Sequence, residues 1–131
     1  MRVLLDTHVW LWALTDAALL PASLHTRLRS GRDTFVISAA SAWEIALKAS
    51  VGRLRLPVDA PTFLRAAVRD LPVTELPVAV AHAARVAELP LHHRDPFDRI
   101  MIAQAQIEGL TIMTVDPAFR AYRVPVLDSS T

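Results

Sequence analysis

Four acidic residues stand out as able to do chemistry together: Asp6, Glu44, Asp98 and Asp116. Asp6 ends the apolar run Val3-Leu4-Leu5, and Asp116 follows Leu110-Thr111-Ile112-Met113 by a short step. Asp98 lies just inside the segment opened by Asp95-Pro96. Glu44 sits between Trp43 and Ile45 in the mostly apolar stretch Ser41–Leu47, where a solvated face is narrow. An unpaired carboxylate against an apolar strand end is costly. Carboxylates gathered in one place repel, and a divalent cation is the usual means of stabilising them. Donors that are all oxygen favour Mg2+ or Mn2+ over Zn2+. The chemistry such a centre offers is metal-ion chemistry on a polyanion.

Each residue also has a plainer role. Asp6 is placed to cap a helix beginning at Thr7. Asp95 and Asp116, each before a proline, have the form of helix N-caps with Pro at the first helical position. Asp98 suits the positive end of a helix dipole. Glu44 and Lys48 have the spacing of an i,i+4 ion pair.

The elements that must position these groups are short. Val3–Leu5, Thr34–Ile37, Leu71–Thr74, Leu110–Met113 and Val124–Val126 read as strands, the third and fifth as edge strands because their prolines cannot donate to a ladder. Helices are expected over residues 7–14, from Pro21 to about Ser30, from a Ser38 cap to Val51, over 60–69, from Pro77 to Glu88 and from Asp95-Pro96 to Glu108. Short apolar strands alternating with helices indicate a parallel sheet buried on both faces. The expected fold class is α/β, a three-layer α/β/α sandwich around a mostly parallel sheet of four or five short strands. Sites in such sheets form at the carboxyl ends of strands, and all four acids are placed so that they can converge on that edge.

The 131 residues suit a single domain spanning 1–131. Hydrophobic residues make up 53% of the chain, against about 45–50% in an average globular protein. That excess hints at apolar surface buried against another chain. No apolar run approaches the roughly 20 residues of a membrane span, and Asp6 comes too early for a signal peptide. With no cysteine, disulfides and thiolate metal sites are excluded, and a cytoplasmic location is expected. Lys48 is the only lysine among 14 basic residues. Arginine is the better fork for phosphate oxygens, and acids withdrawn into one site would leave a basic surface around it. Arg27, Arg29 and Arg32 read either as a phosphate track or as a solvated helix end. Trp10, Trp12 and Trp43, among Leu and Ala at helical positions, read as core or dimer contacts.

Four segments carry a family resemblance: Leu5-Asp6-Thr7-His8, Ser41-Ala42-Trp43-Glu44-Ile45, His93-Arg94-Asp95-Pro96-Phe97-Asp98-Arg99 and Thr114-Val115-Asp116-Pro117-Ala118-Phe119. Together they resemble the signature segments of PIN-domain ribonucleases, and within that family the VapC-type toxins of toxin–antitoxin systems. The resemblance implies a Mg2+-dependent endoribonuclease, with Mn2+ as a substitute ion, whose acidic quartet is Asp6, Glu44, Asp98 and Asp116. Asp6 and Asp98 would be the firmest metal ligands, with Asp116 and Glu44 acting directly or through ordered water. Asp95 stands between a site role and an N-cap. Thr7 and Thr114 would hold carboxylates or water in place, and Lys48 would pair with Glu44 when no metal is bound. Arg99, His92 and His93 would meet RNA, the two histidines from an exposed loop. The family's habits further imply a homodimer and a cognate DNA-binding antitoxin that covers the site.

Three other readings compete, one of them a DNA nuclease, since the chemistry does not depend on the 2′-hydroxyl. A phospho-accepting receiver domain shares the length and the acidic pocket, but it wants paired acids after the first strand and a lysine after the last, and no lysine follows position 48. A catalytically inactive PIN-like module that binds RNA or protein remains open from sequence.

Overall fold

The computed structural model describes all residues from Met1 to Thr131. Five strands form one parallel sheet: β1 (Arg2–Leu5), β2 (Thr34–Ser38), β3 (Thr74–Leu76), β4 (Thr111–Met113) and β5 (Val126–Leu127), in the order β3-β2-β1-β4-β5. The helices are α1 (Thr7–Thr15), α2 (Ala22–Arg29), α3 (Ala39–Ser50), α4 (Ala60–Asp70), α5 (Val80–Val86) and α6 (Pro96–Glu108). Short 3-10 turns cover Ala17–Leu19 and Pro117–Ala121. No helix is long and apolar enough to cross a membrane.

Successive strand side chains point to opposite faces, and the core divides accordingly. Val3, Leu5, Phe35, Ile37 and Met113 join Trp10, Leu24, Ile45 and Phe63 on one face. Leu4, Val36 and Ile112 meet Met101, Ile102 and Ala105 of α6, with Phe119, on the other. Helices therefore cover both sides of a sheet whose three central strands are apolar along their buried length except for Ser38 at the end of β2, as the α/β sandwich requires.

The chain punctuation works as its chemistry dictates. The Ser38 hydroxyl accepts from the Ala40 amide at the start of α3, and Asp59 accepts from Thr62 at the start of α4. Gly109 closes α6 at φ 67°, a left-handed conformation that a side chain would disfavour.

Three boundaries depart from the sequence reading, each beside a proline. β3 begins at Thr74 rather than Leu71, because Pro72 has no amide to give and Leu71 still bonds back to Ala67 of α4. β5 is Val126–Leu127 rather than Val124–Val126; Pro125 takes part only through its carbonyl, which accepts from Ile112. α5 starts at Val80 rather than Pro77, whose carbonyl is taken by the Gln104 side chain.

Candidate active site

A helix that returns the chain to a parallel strand runs antiparallel to it, so its N-terminus lies at the sheet's carboxyl edge. That places the opening of α3 and of α6 beside the ends of β1 and β4. Asp6 is the first residue after β1, Glu44 lies in the second turn of α3, and Asp98 in the first turn of α6. Asp116 opens the 3-10 turn after β4.

Asp6 occupies the N-cap position of α1, yet its side chain makes no capping hydrogen bond. Its Oδ2 instead accepts from the Thr114 hydroxyl at 2.8 Å, and its Oδ1 is buried with no hydrogen-bond partner. Burial raises its pKa above the ordinary carboxylate value, against the opposing hydrogen bond from Thr114. Glu44 is 2% exposed. Its Oε2 accepts from the Lys48 ammonium, the expected i,i+4 pair, but on a buried wall rather than a solvated face. Its Oε1 is also buried and without a partner. The hydrogen bond to Glu44 raises the Lys48 pKa.

Asp98 is the centre of the group. Burial, followed by the charges of Asp6, Asp95, Glu44 and Asp116, pushes its carboxyl up to about 8. All four acids of the quartet therefore share one electrostatic neighbourhood. The His93 Nε2 lies 2.9 Å from Asp98 Oδ2 and 3.3 Å from Asp116 Oδ2.

The supporting residues sort themselves by contact. The Asp95 Oδ1 accepts from the amides of Phe97 and Asp98 at 2.8 and 3.1 Å, so Asp95 is the N-cap of α6. Asp116 does both jobs: Oδ1 caps the following turn by accepting from Ala118, and Oδ2 faces His93. Thr114 accepts from the Asp116 amide while donating to Asp6, joining two acids through one hydroxyl. The Thr7 hydroxyl donates to Ser41 at 3.0 Å rather than to a carboxylate; Thr7 meets Asp6 through its backbone.

Four expectations change, at His93, Arg99, Arg27 and Trp43. His93 is not an exposed loop residue but part of the acidic centre, whereas His92 is exposed with its ring edge-on to Tyr122. Arg99 is engaged inside the protein: its guanidinium donates to the carbonyls of Val86, Leu89, Pro90 and His93 and to the Tyr122 hydroxyl. Arg27 likewise is held by Asp33, at 2.7 and 3.1 Å, and is no free phosphate contact. Of the tryptophans, Trp10 is core, but Trp43 is 64% exposed, edge-on to Phe97.

The donor set fits a hard divalent cation. Two buried carboxylate oxygens lack any partner, and the carboxyl of a third acid, Asp98, is pushed up to about 8 by its burial and its neighbours' charge. A cation would satisfy all three.

The PIN domain family model matches residues 3–125. The chain belongs to the PIN domain family. PIN domains are generally nucleases that depend on a divalent metal. Among solved structures, this PIN domain is similar to a chain of VapBC2 from Rickettsia felis bound to a DNA fragment from their promoter (TM-score 0.73, 14% identity, 98% of each chain covered). It is also similar to chains of DNA-bound VapBC from Salmonella typhimurium (0.69, 16%, 98% of each) and of FitAcB from Neisseria gonorrhoeae (0.67, 21%, 98% of each). At these identities the likeness is one of fold. No curated protein matches the chain in sequence.

Proposed function

We propose that this PIN domain is a Mg2+-dependent endoribonuclease, with Mn2+ as a competent substitute, and the toxin of a type II toxin–antitoxin pair. The observation that carries the reading is the pair of buried, unpartnered oxygens, Asp6 Oδ1 and Glu44 Oε1, beside an Asp98 crowded by like charge. The match to toxin–antitoxin folds supports the biological half of it.

In this scheme Asp6 and Asp98 would hold the ion, and Asp116 and Glu44 would reach it directly or through ordered water. A bound divalent ion supplies charge stabilisation at the scissile phosphate and makes water a better nucleophile at neutral pH. Thr114 fixes the Asp6 carboxylate. Lys48 balances Glu44 in the ion-free protein. Lys48 and Arg53 flank Glu44 along a cavity of about 320 Å³, giving an RNA backbone a cationic approach. Water would attack phosphorus in line as the P–O3′ bond breaks, giving up a proton to solvent while the leaving 3′-oxygen takes one up, so that a 5′-phosphate and a 3′-hydroxyl result.

The partners follow the same reading: a cognate DNA-binding antitoxin and a second copy of the chain, in the cytoplasm. For the homodimer the support is an apolar groove of about 570 Å³ between α3, α5 and α6, lined by exposed Trp43 and Val78 and half-buried Phe97 and Ile100. Incubation of the purified chain with single-stranded RNA tests the activity. Cleavage with Mg2+, lost in EDTA and in Asp98→Ala, is expected, with growth arrest on induction of the wild type alone. A folded wild type inert on RNA with Mg2+ and Mn2+ would leave a binding module instead.

A further inference from the structure

We infer that His93 is a positioning residue that donates a hydrogen bond to Asp116 while its ring lies against Asp98, and that it is not a metal ligand. The inference rests on the nuclease reading above and assigns a new member to its site.

The side-chain atoms of His93, Asp98 and Asp116 lie within 4.8 Å of one another, a spacing that a mixed nitrogen–oxygen metal site would share. The other side of the ring decides between the two roles. A neutral imidazole has one donor and one acceptor nitrogen. The Asp95 amide donates to His93 Nδ1 at 3.2 Å, which makes Nδ1 the acceptor. The ring hydrogen therefore sits on Nε2, the nitrogen that faces Asp98 Oδ2 and Asp116 Oδ2. Coordination through Nε2 would need a lone pair there and a hydrogen on Nδ1, where the Asp95 N–H already points.

The ring is held for this role on every side. The His93 amide donates to the Tyr122 hydroxyl at 2.8 Å, and the His93 carbonyl accepts from Arg99. Phe119 packs edge-on to the imidazole. Asp95, Arg99 and Tyr122 thus fix the position and tautomer of an N–H that engages Asp116 and lies beside Asp98. Because His93 contributes no lone pair, the ion's protein donors stay all oxygen. That favours Mg2+ and Mn2+ and removes the nitrogen that would favour Zn2+ or Ni2+.

Nitrogen-15 NMR of histidine-labelled protein reads the tautomer directly, without any variant. His93 should show a pyrrole-like Nε2 and a pyridine-like Nδ1, ion-free and with Mg2+. A pyrrole-like Nδ1, or an Nε2 shifted by coordination, would overturn the inference. Mn2+ affinity, measured by electron paramagnetic resonance, then tests the role. His93→Gln keeps an N–H near the Nε2 position and His93→Ala does not. His93→Ala should bind Mn2+ about 10–100-fold more weakly and His93→Gln within about threefold of wild type. Equal weakening in both variants, or none in His93→Ala, would overturn the positioning role while leaving the nuclease reading in place. A wild type that binds no Mn2+ would overturn that reading and the role with it.

Discussion

The Thr114 hydroxyl donates to Asp6 Oδ2 at 2.8 Å across 108 residues of chain, tying the ends of two adjacent strands through the first acid of the site. That bond satisfies one Asp6 oxygen and leaves the other, Oδ1, buried and free. A threonine in this place orients a carboxylate without neutralising it. The negative charge is kept for something else to balance.

Loss of a quartet acid should separate activity from stability. Asp98→Asn removes the carboxylate that its neighbours disfavour most, so it should cut RNA cleavage by about 10²–10³-fold or more. The same change should raise the unfolding midpoint of the ion-free chain, because an amide escapes the burial cost and, after it, the like-charge repulsion that disfavour a carboxylate there. Thermal unfolding in EDTA beside a cleavage assay checks both. A destabilised Asp98→Asn chain would argue that Asp98 is an ordinary structural acid.

The pH dependence of the ion-free protein has a definite sign. The Asp98 carboxyl is raised from 3.8 to about 8, so between those values the native chain keeps a proton that the unfolded chain has released. Its stabilising contribution is complete below about pH 4 and is lost as pH rises through about 8. Asp33, held low by Arg27, contributes in the opposite sense, but its contribution is complete above its ordinary value and is lost only in acid. Urea unfolding in EDTA should therefore show stability falling from pH 5 to 8 in the wild type and falling less in Asp98→Asn. Parallel profiles for the two chains would contradict the placement of Asp98.

The arginine after Asp98 is expected to matter to the fold rather than to RNA. Arg99→Met deletes donors to four carbonyls and a phenol, and should cost about 2–3 kcal/mol of stability. Equilibrium unfolding measures the loss. Unchanged stability with weakened RNA binding would restore Arg99 as an RNA contact.

Much of this was legible in the sequence because the chemistry that positions the acids is local. Prolines after Asp95 and Asp116, apolar strands before Asp6 and Asp116, and the glycine after Glu108 mark the strand ends and helix starts that bring the quartet to one edge. What was not legible depends on side-chain contacts between distant segments. His92 and His93 are adjacent and alike in sequence, yet only His93 turns inward, because Tyr122 and Arg99 seize its backbone. The one sequence signal for it is a spacing of two residues before the Asp95 cap, close enough for the cap's amide to reach the ring. Arg99 has the composition of a phosphate contact, and only the carbonyls around it say otherwise. Trp43 lies among apolar neighbours on α3 and still faces outward.

That outward face gives the oligomer prediction. Trp43→Glu places a charge on the open apolar groove and should shift the chain from dimer to monomer with its fold intact. Sedimentation equilibrium measures the change. A wild type that is monomeric at high concentration would remove the second copy from the proposed function.

The central claim is that Asp6, Glu44, Asp98 and Asp116 enclose one place where a divalent ion belongs. The anomalous signal of Mn2+ in crystals soaked with the ion locates it without reference to activity. A peak among these four side chains, beside Asp6 Oδ1, is the expected result, absent in crystals of Asp6→Asn. No peak there in well-ordered wild-type crystals, or a peak bound only at another surface, would contradict it.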